Sequence, residues 1–563
     1  MPALSLIDAA MFLFETPERP FNIGPLIVLD PPARGRATFA DRLVTQMLKR
    51  PLGAPFNYKL SAPALGLPTL EVDANADLSA HVHRITLDKP GSFEQLSAQV
   101  CALHEQRIDR SRLLWELYVI DGLEGGKVAL YGKTHHGIID GRGFVQAISG
   151  WLSTDAADTT VRAMWEGVSR PAKEGAAKEG TAKDDVAQES PERRSLGARL
   201  GGLLGLVKGT TASAVGLYAM LAKQGLKTLG VGGFESLLLP YARVPRVLGG
   251  KASSKRSFAY ATLPIREMKA FAKAQGVTLN DLLLSTVDIA LARYLQEQDK
   301  LPTQPLVTAM PIALANAGGG NQIAVLQFPL GAPGLSPAKR LAAVRAETAT
   351  VKRVIEKTTN ELVMLYTTLV HGVPAMVEKL GIKTGLPVSN LMVSNPFGFA
   401  EKRYLMGAAV DVVLPVSVVP AGQLLNVTSV TLADRFQIGF LAMPEAVPNI
   451  AKLASYIPDA FDELVRSMTA PESASDAAQA SAGAPAAEQA PAAAPAKKRA
   501  ARPRPAAKAA VADAPAPAPR KRAAAKRKKS AKAVEAGATA RAEAEVTASA
   551  DAEATAGAEA VAA

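Results

Sequence analysis

Thr134-His135-His136-Gly137-Ile138-Ile139-Asp140-Gly141 is the stretch where this chain commits to chemistry. It closes an apolar, strand-like run, Lys127-Val128-Ala129-Leu130-Tyr131-Gly132-Lys133, and opens into Gly141-Arg142-Gly143, after which 144–148 reads as helix. Side chains alternate between faces along a strand, so two adjacent histidines point opposite ways. Val128, Leu130 and Thr134 fall on the side of His136, while Ala129, Tyr131 and Lys133 share the side of His135. One imidazole is then offered to a cleft and its neighbour is held elsewhere. Four residues on, Asp140 can turn back to fix the loop, and Gly141 permits the tight turn. An imidazole, with an unperturbed pKa of about 6.5, can take a proton from a hydroxyl near neutral pH.

A His-His pair by itself is more often structural than catalytic. The rest of the chain offers no competing chemistry. No serine or cysteine sits in a nucleophile elbow, and Cys101, inside an expected helix, reads as core. His81 and His83 form a lone His-x-His on a polar stretch, and His104 and His371 add no ligand spacing, so no metal site is expected. What survives is a general base that deprotonates an acceptor hydroxyl, which then attacks an activated acyl group directly.

Outward from the histidines, 114–120 alternates as a strand, and Asp121-Gly122-Leu123-Glu124-Gly125-Gly126 supplies a turn, so 114–134 is expected as an antiparallel hairpin. Upstream, 4–13 is a short amphipathic helix with Ser5 as N-cap, 23–29 a buried strand, and 39–48 and 92–106 helices. Residues 169–194 turn to Ala, Gly, Lys, Glu and Asp, a flexible connector. The apolar, glycine-rich 196–239 reads either as a helical crossover packed on the body or as a helix lying in a lipid surface. A second α and β unit starts near Ser257: a strand at 258–263, a helix at 266–276, and a long helix capped by Thr278 with Asp281 in its first turn. Further strands are expected at 305–310, 323–329, 391–394, and in a hairpin of 424–430 with 435–440.

The 563 residues suffice for two or three domains, and 48% hydrophobic content can fill their cores. A single cysteine excludes an intrachain disulfide and argues for a reducing cytoplasm. The opening residues lack a basic region followed by an apolar core, so no signal peptide is expected. No apolar run approaches the roughly 20 residues of a membrane span. The net charge of +12 is local: 497–532 carries fourteen Lys/Arg against Asp513, leaving −1 for the remainder. From 470 onward, Ala, Pro, Lys and Glu dominate and aromatics vanish, so this tail is expected to be disordered. Residues 497–532 are a candidate for polyanion contact, with an anionic lipid or granule surface and nucleic acid as alternatives to a solvated tail.

His135-His136-Gly137-Ile138-Ile139-Asp140-Gly141 matches the HHxxxDG motif of CoA-dependent acyltransferases. Several further segments follow in order: Leu4-Ser5 through Asp8-Ala9-Ala10 with Phe12, Asp77-Leu78 with His81-Val82, Ile108-Asp109-Arg110-Ser111-Arg112 and Leu114-Trp115-Glu116. Asn280-Asp281, Gly320-Asn321-Gln322 and Asn390 through Ser394-Asn395 complete the set. Over about 4–445 the chain thus resembles the bacterial wax ester synthase/diacylglycerol acyltransferases. Leu113 before Leu114-Trp115, Pro396-Phe397-Gly398-Phe399, Ser429-Val430 and Arg142 depart from that pattern.

The resemblance implies an α+β fold of two chloramphenicol-acetyltransferase-like domains, with mixed sheets, flanking helices and a tunnel between them. The organisation is then 1–168, an N-terminal half with the histidine motif; 169–256, linker and crossover; 257–469, a C-terminal half; and 470–563, the tail. It implies His136 as general base, with His135 supporting, Asp140 orienting the loop and Gly141 allowing its turn. Asn280 and Asp281 would shape fold and tunnel, and Trp115 would be core. The implied reaction moves a fatty acyl group from acyl-CoA to diacylglycerol or a long-chain alcohol, without metal or bound cofactor, at a cytoplasmic membrane or lipid-inclusion surface. A condensation-type enzyme using a carrier-protein donor is one rival. The other is an inactive scaffold that binds lipid granules or nucleic acid through the tail.

Overall fold

Ser5 starts the first ordered element as the sequence suggests: its hydroxyl accepts the Asp8 N–H while the Asp8 side chain reaches back, a capping box that opens α1 (Leu6–Phe14). The computed structural model describes residues 4–61, 68–139, 141–167, 216–228, 237–248, 252–314, 323–381, 387–396 and 398–469, and every structural statement concerns these. The first half continues with β1 (Asn22–Asp30), α2 (Phe39–Met47), β2 (Tyr58–Ser61), β3 (Thr69–Val72), β4 (Val82–Thr86), α3 (Phe93–Glu105), β5 (Trp115–Asp121), β6 (Val128–His135) and α4 (Gly141–Trp151). After α5 (216–228) come β7 (Ser257–Pro264), α6 (Ile265–Gln275), α7 (Leu279–Gln296), β8 (Val307–Ala313), β9 (Ile323–Pro329), α8 (Pro337–Glu356) and α9 (Asn360–Lys379). The series closes with β10 (Leu391–Ser394), β11 (Tyr404–Leu405), β12 (Ala408–Val416), β13 (Leu425–Leu432), β14 (Arg435–Ala442) and α10 (Ile450–Thr469).

Two mixed six-stranded sheets organise these elements, in the orders β11-β12-β1-β6-β5-β4 and β7-β14-β13-β10-β8-β9. The expected hairpin is β5–β6, with Trp115 opposite Thr134. Its alternation splits the core. Val128 and Leu130 pack with Phe39, Leu43 and Trp115 on one face, and Ala129 and Tyr131 with Val100 and Phe258 on the other. Trp115 is core: fully buried, stacked on Trp165, its indole N–H given to the Phe56 carbonyl at 2.7 Å. Cys101 is buried too, and burial pushes its thiol up to about 12.

The sequence halves are not separate in space. β12, from the 257–469 stretch, lies antiparallel on β1, with Leu26 opposite Leu414, and so completes the first half's sheet. Arg19 fastens the same junction: its guanidinium donates to the carbonyls of Val419, Pro420 and Gln423 and pairs with Glu378 at 2.9 Å. Within 196–239, α5 supports the crossover alternative, since Leu217, Met220 and Leu221 pack on the second core and Gln224 Nε2 donates to the Tyr366 hydroxyl. Most of 169–256 and all of 470–563 lie outside the described residues.

Candidate active site

β6 ends on His135, which pairs with Asn22 of β1. The His135 ring is fully buried and lies flat on Phe12 of α1, with centroids 3.9 Å apart. Its Nδ1 accepts the Gly137 N–H at 3.0 Å, so the ring proton resides on Nε2, 3.9 Å from Glu15 Oε1. Burial, reinforced by the nearby Arg110 and His136, pushes its pKa well below the ordinary value, so it stays neutral. Gly137 is needed for space, because a Cβ there would stand 2.5 Å from the Phe12 ring. His136 has left the strand. Its amide donates to the Phe21 carbonyl at 2.8 Å, and its half-buried side chain lines a cavity of about 960 Å³.

Glu15 supports this turn from below. Its buried carboxylate accepts the Phe21 N–H at 3.0 Å and the Arg110 guanidinium at 2.6 and 3.1 Å. Phe21 is thereby held by Glu15 and in turn holds His136. Arg110 belongs to a segment the sequence reading singled out; Glu15 does not, because Glu15-Thr16-Pro17-Glu18 reads as an exposed turn.

The second half forms the opposite wall. Thr278 Oγ1 accepts the Asp281 N–H at 3.1 Å, and Asp281 Oδ2 accepts from the Thr278 amide and hydroxyl at 2.9 and 2.8 Å. Asp281 Oδ1 takes the Thr348 hydroxyl of α8 at 2.7 Å, so this carboxylate is occupied in holding α7 to α8. Asn280 differs. Its Oδ1 accepts from Asn395 Nδ2 at 2.7 Å, and Asn395 Oδ1 accepts from Ser429 Oγ at 3.0 Å. That chain leaves the Asn280 Nδ2 donor without a hydrogen bond among the described residues, on a side chain that lines the cavity. Most of the remaining lining is apolar, from β1, α4, α7, β8, β10 and β12.

His136, Asn280 and Asp281 therefore share one cavity, and His135 lies behind it. Gly141 is the first residue of α4. Asp140 and Gly320-Asn321-Gln322 lie outside the described residues. His81 gives Nδ1 to the Trp115 carbonyl contact at 2.9 Å, while His83 stacks on Tyr118, so that pair serves packing.

The His136 turn and the Asn280 end of α7 thus line the same largely apolar cavity, and the comparisons name the class. The wax ester synthase/diacylglycerol acyltransferase catalytic domain matches residues 4–283, and the C-terminal domain of the same family matches 319–465. Mycobacterium tuberculosis has a relative named probable diacylglycerol O-acyltransferase Tgs4, 31% identical over 473 residues, covering 82% of this chain and 96% of that protein. The solved wax ester synthase/diacylglycerol acyltransferase of Marinobacter aquaeolei VT8 shares the fold, with a TM-score of 0.59 at 22% identity, over 82% of this chain and 98% of that one. The protein is an acyltransferase. It belongs to the wax ester synthase/diacylglycerol acyltransferase family.

Proposed function

We propose that the chain moves a fatty acyl group from acyl-CoA to diacylglycerol or a long-chain alcohol, with His136 as general base. The observation that carries this reading is the His136 side chain on the wall of a large, mostly apolar cavity between the halves. The imidazole takes the acceptor's hydroxyl proton as the oxygen attacks the thioester carbonyl. The tetrahedral intermediate collapses with cleavage of the C–S bond, and the imidazolium returns the proton to the departing CoA sulfur. The thioester supplies the activation, so the step needs neither metal nor bound cofactor. Asn280 Nδ2 is suited to donate to the carbonyl oxygen as negative charge develops on it. His135, neutral and buried, holds the turn, and Asp140 is assigned the role of orienting the loop. Among the described residues no helix is long and apolar enough to cross a membrane. Apolar substrates are then met by association with a membrane or lipid-inclusion surface on the cytoplasmic side.

The test is release of CoA thiol from palmitoyl-CoA with hexadecanol or dioleoylglycerol as acceptor, wild type beside His136→Ala. Acceptor-dependent release by the wild type alone supports the reading and ranks the acceptors. Equal release by both proteins removes His136 from the mechanism, and release only with an acyl-carrier donor transfers the chain to the condensation-type rival.

A further inference from the structure

Most large apolar side chains of this protein are buried, yet one helix departs from that pattern. On α9, Leu369 is 43% exposed, Val373 50%, Met376 45% and, just past its end, Leu380 65%. At 100° per residue these four positions fall within an arc of about 60° and extend about 16 Å along the axis. The adjoining face of α9 carries Val363, Tyr366, Val370 and Pro374, all buried. Pro374 cannot donate to the Val370 carbonyl, and the Tyr241 hydroxyl does so instead at 2.6 Å, so the inner face is fully engaged. Leu13 of α1, 40% exposed, extends the outer stripe: Phe14 packs against Gly372, and Lys379 Nζ donates to the Leu13 carbonyl.

We propose that this α9–α1 stripe is the surface by which the protein docks on an anionic lipid interface. Between 362 and 377 the chain carries no Asp, Glu, Lys or Arg. Glu378 is bound to Arg19, and exposed Lys379 borders the stripe. An exposed apolar row with a cation at its margin suits insertion at the boundary between headgroups and acyl chains. The chain's own tail is not the occupant, because 470–563 has four valines and otherwise no aromatic, Leu, Ile or Met residue to cover the row. It instead adds +13 over 497–532, and that charge favours the same anionic surface. A second copy is a poor fit, since a row one helix wide offers on the order of 200 Å², against about 800 Å² per partner in a standard interface. This inference deepens the lipid-surface part of the proposed function by naming its face. It also places that contact on α9, whereas on α5 Leu217, Met220 and Leu221 pack on the core and Tyr218 alone is strongly exposed.

The experiment is sedimentation of the full chain with vesicles of equimolar phosphatidylcholine and phosphatidylglycerol. It is run at low salt and at about 1 M salt, where the Debye length of about 3 Å screens the tail. Leu369→Glu with Met376→Glu should lower the high-salt vesicle partition by about tenfold without changing the unfolding temperature. Val373→Trp, on the same row, should bind more tightly and shift its emission to the blue on vesicles. Unchanged partition of the double Glu variant, or no shift from the Trp variant, overturns the proposal. So would a wild-type dimer that the Glu pair dissociates, which makes a second copy the occupant, or retention by nucleic acid but not by vesicles. Binding is read without turnover, so its failure leaves acyl transfer through His136 standing.

Discussion

The two walls of the cavity are held in different ways. On the first, His136 is placed by main chain: its amide is bonded to Phe21, the following turn is fixed by the neutral His135, and Gly137 is pressed against Phe12. On the second, Asn280 is placed by side chains alone, through Asn395 and Ser429. The first wall is one main-chain turn fixed by the side chains of Glu15, His135 and Phe12, and it tolerates little shift. A wall built from side-chain amides can be altered one donor at a time.

Three substitutions test that contrast. His136→Ala should lower the turnover number by about 10³–10⁴-fold with the fold retained, the range of a lost general base; acyl transfer assayed beside circular dichroism checks this. Gly137→Ala forces the Phe12 ring and the turn apart, so turnover should fall about 10²-fold. Retained activity there would show that the first wall has more give than the 2.5 Å clearance implies. Asn280→Asp keeps an acceptor for Asn395 but removes the donor, and should cost about tenfold in turnover with KM little changed. An Asp variant as active as wild type would reduce Asn280 to a shape-giving residue.

A fourth effect concerns stability. His104, beneath the first wall, contacts the Tyr131 hydroxyl at 2.6 Å and the Ser417 carbonyl at 2.9 Å, and burial pushes its pKa down to about 3. Its folded value lies below its unfolded value of about 6.5, so its stabilising contribution is complete above pH 6.5 and declines as the pH falls towards 3. Between pH 6.5 and 5 the loss is about 2 kcal/mol. Urea midpoints at pH 7 and 5 should therefore lie closer together in His104→Gln than in the wild type.

The divergence of the two histidines was legible, although it arises because β6 ends on His135 and His136 begins the turn, and Thr278 with Asp281 announced the start of α7 because a capping box spans four residues. The bounds of β9 and β10 could be read directly from runs of apolar residues. Partnership was not legible. Nothing in Ala408-Ala409-Val410-Asp411-Val412-Val413-Leu414-Pro415-Val416 says that it pairs with β1, nearly four hundred residues upstream in the chain. Glu15 escaped for a related reason: a carboxylate in a proline-containing turn looks solvated until Arg110 and Phe21 are seen against it.

β12 also bears on how the gene can be divided. A cut in the 169–194 connector looks harmless, because composition changes there and the flanking segments look self-contained. The 1–168 fragment would nevertheless carry β1 with one side bare, an apolar edge open to any passing strand. Its mate would carry β12 with only the short β11 beside it. Produced separately, each piece should precipitate; produced together, each supplies the strand the other lacks, and complementation rather than independent folding should restore the enzyme.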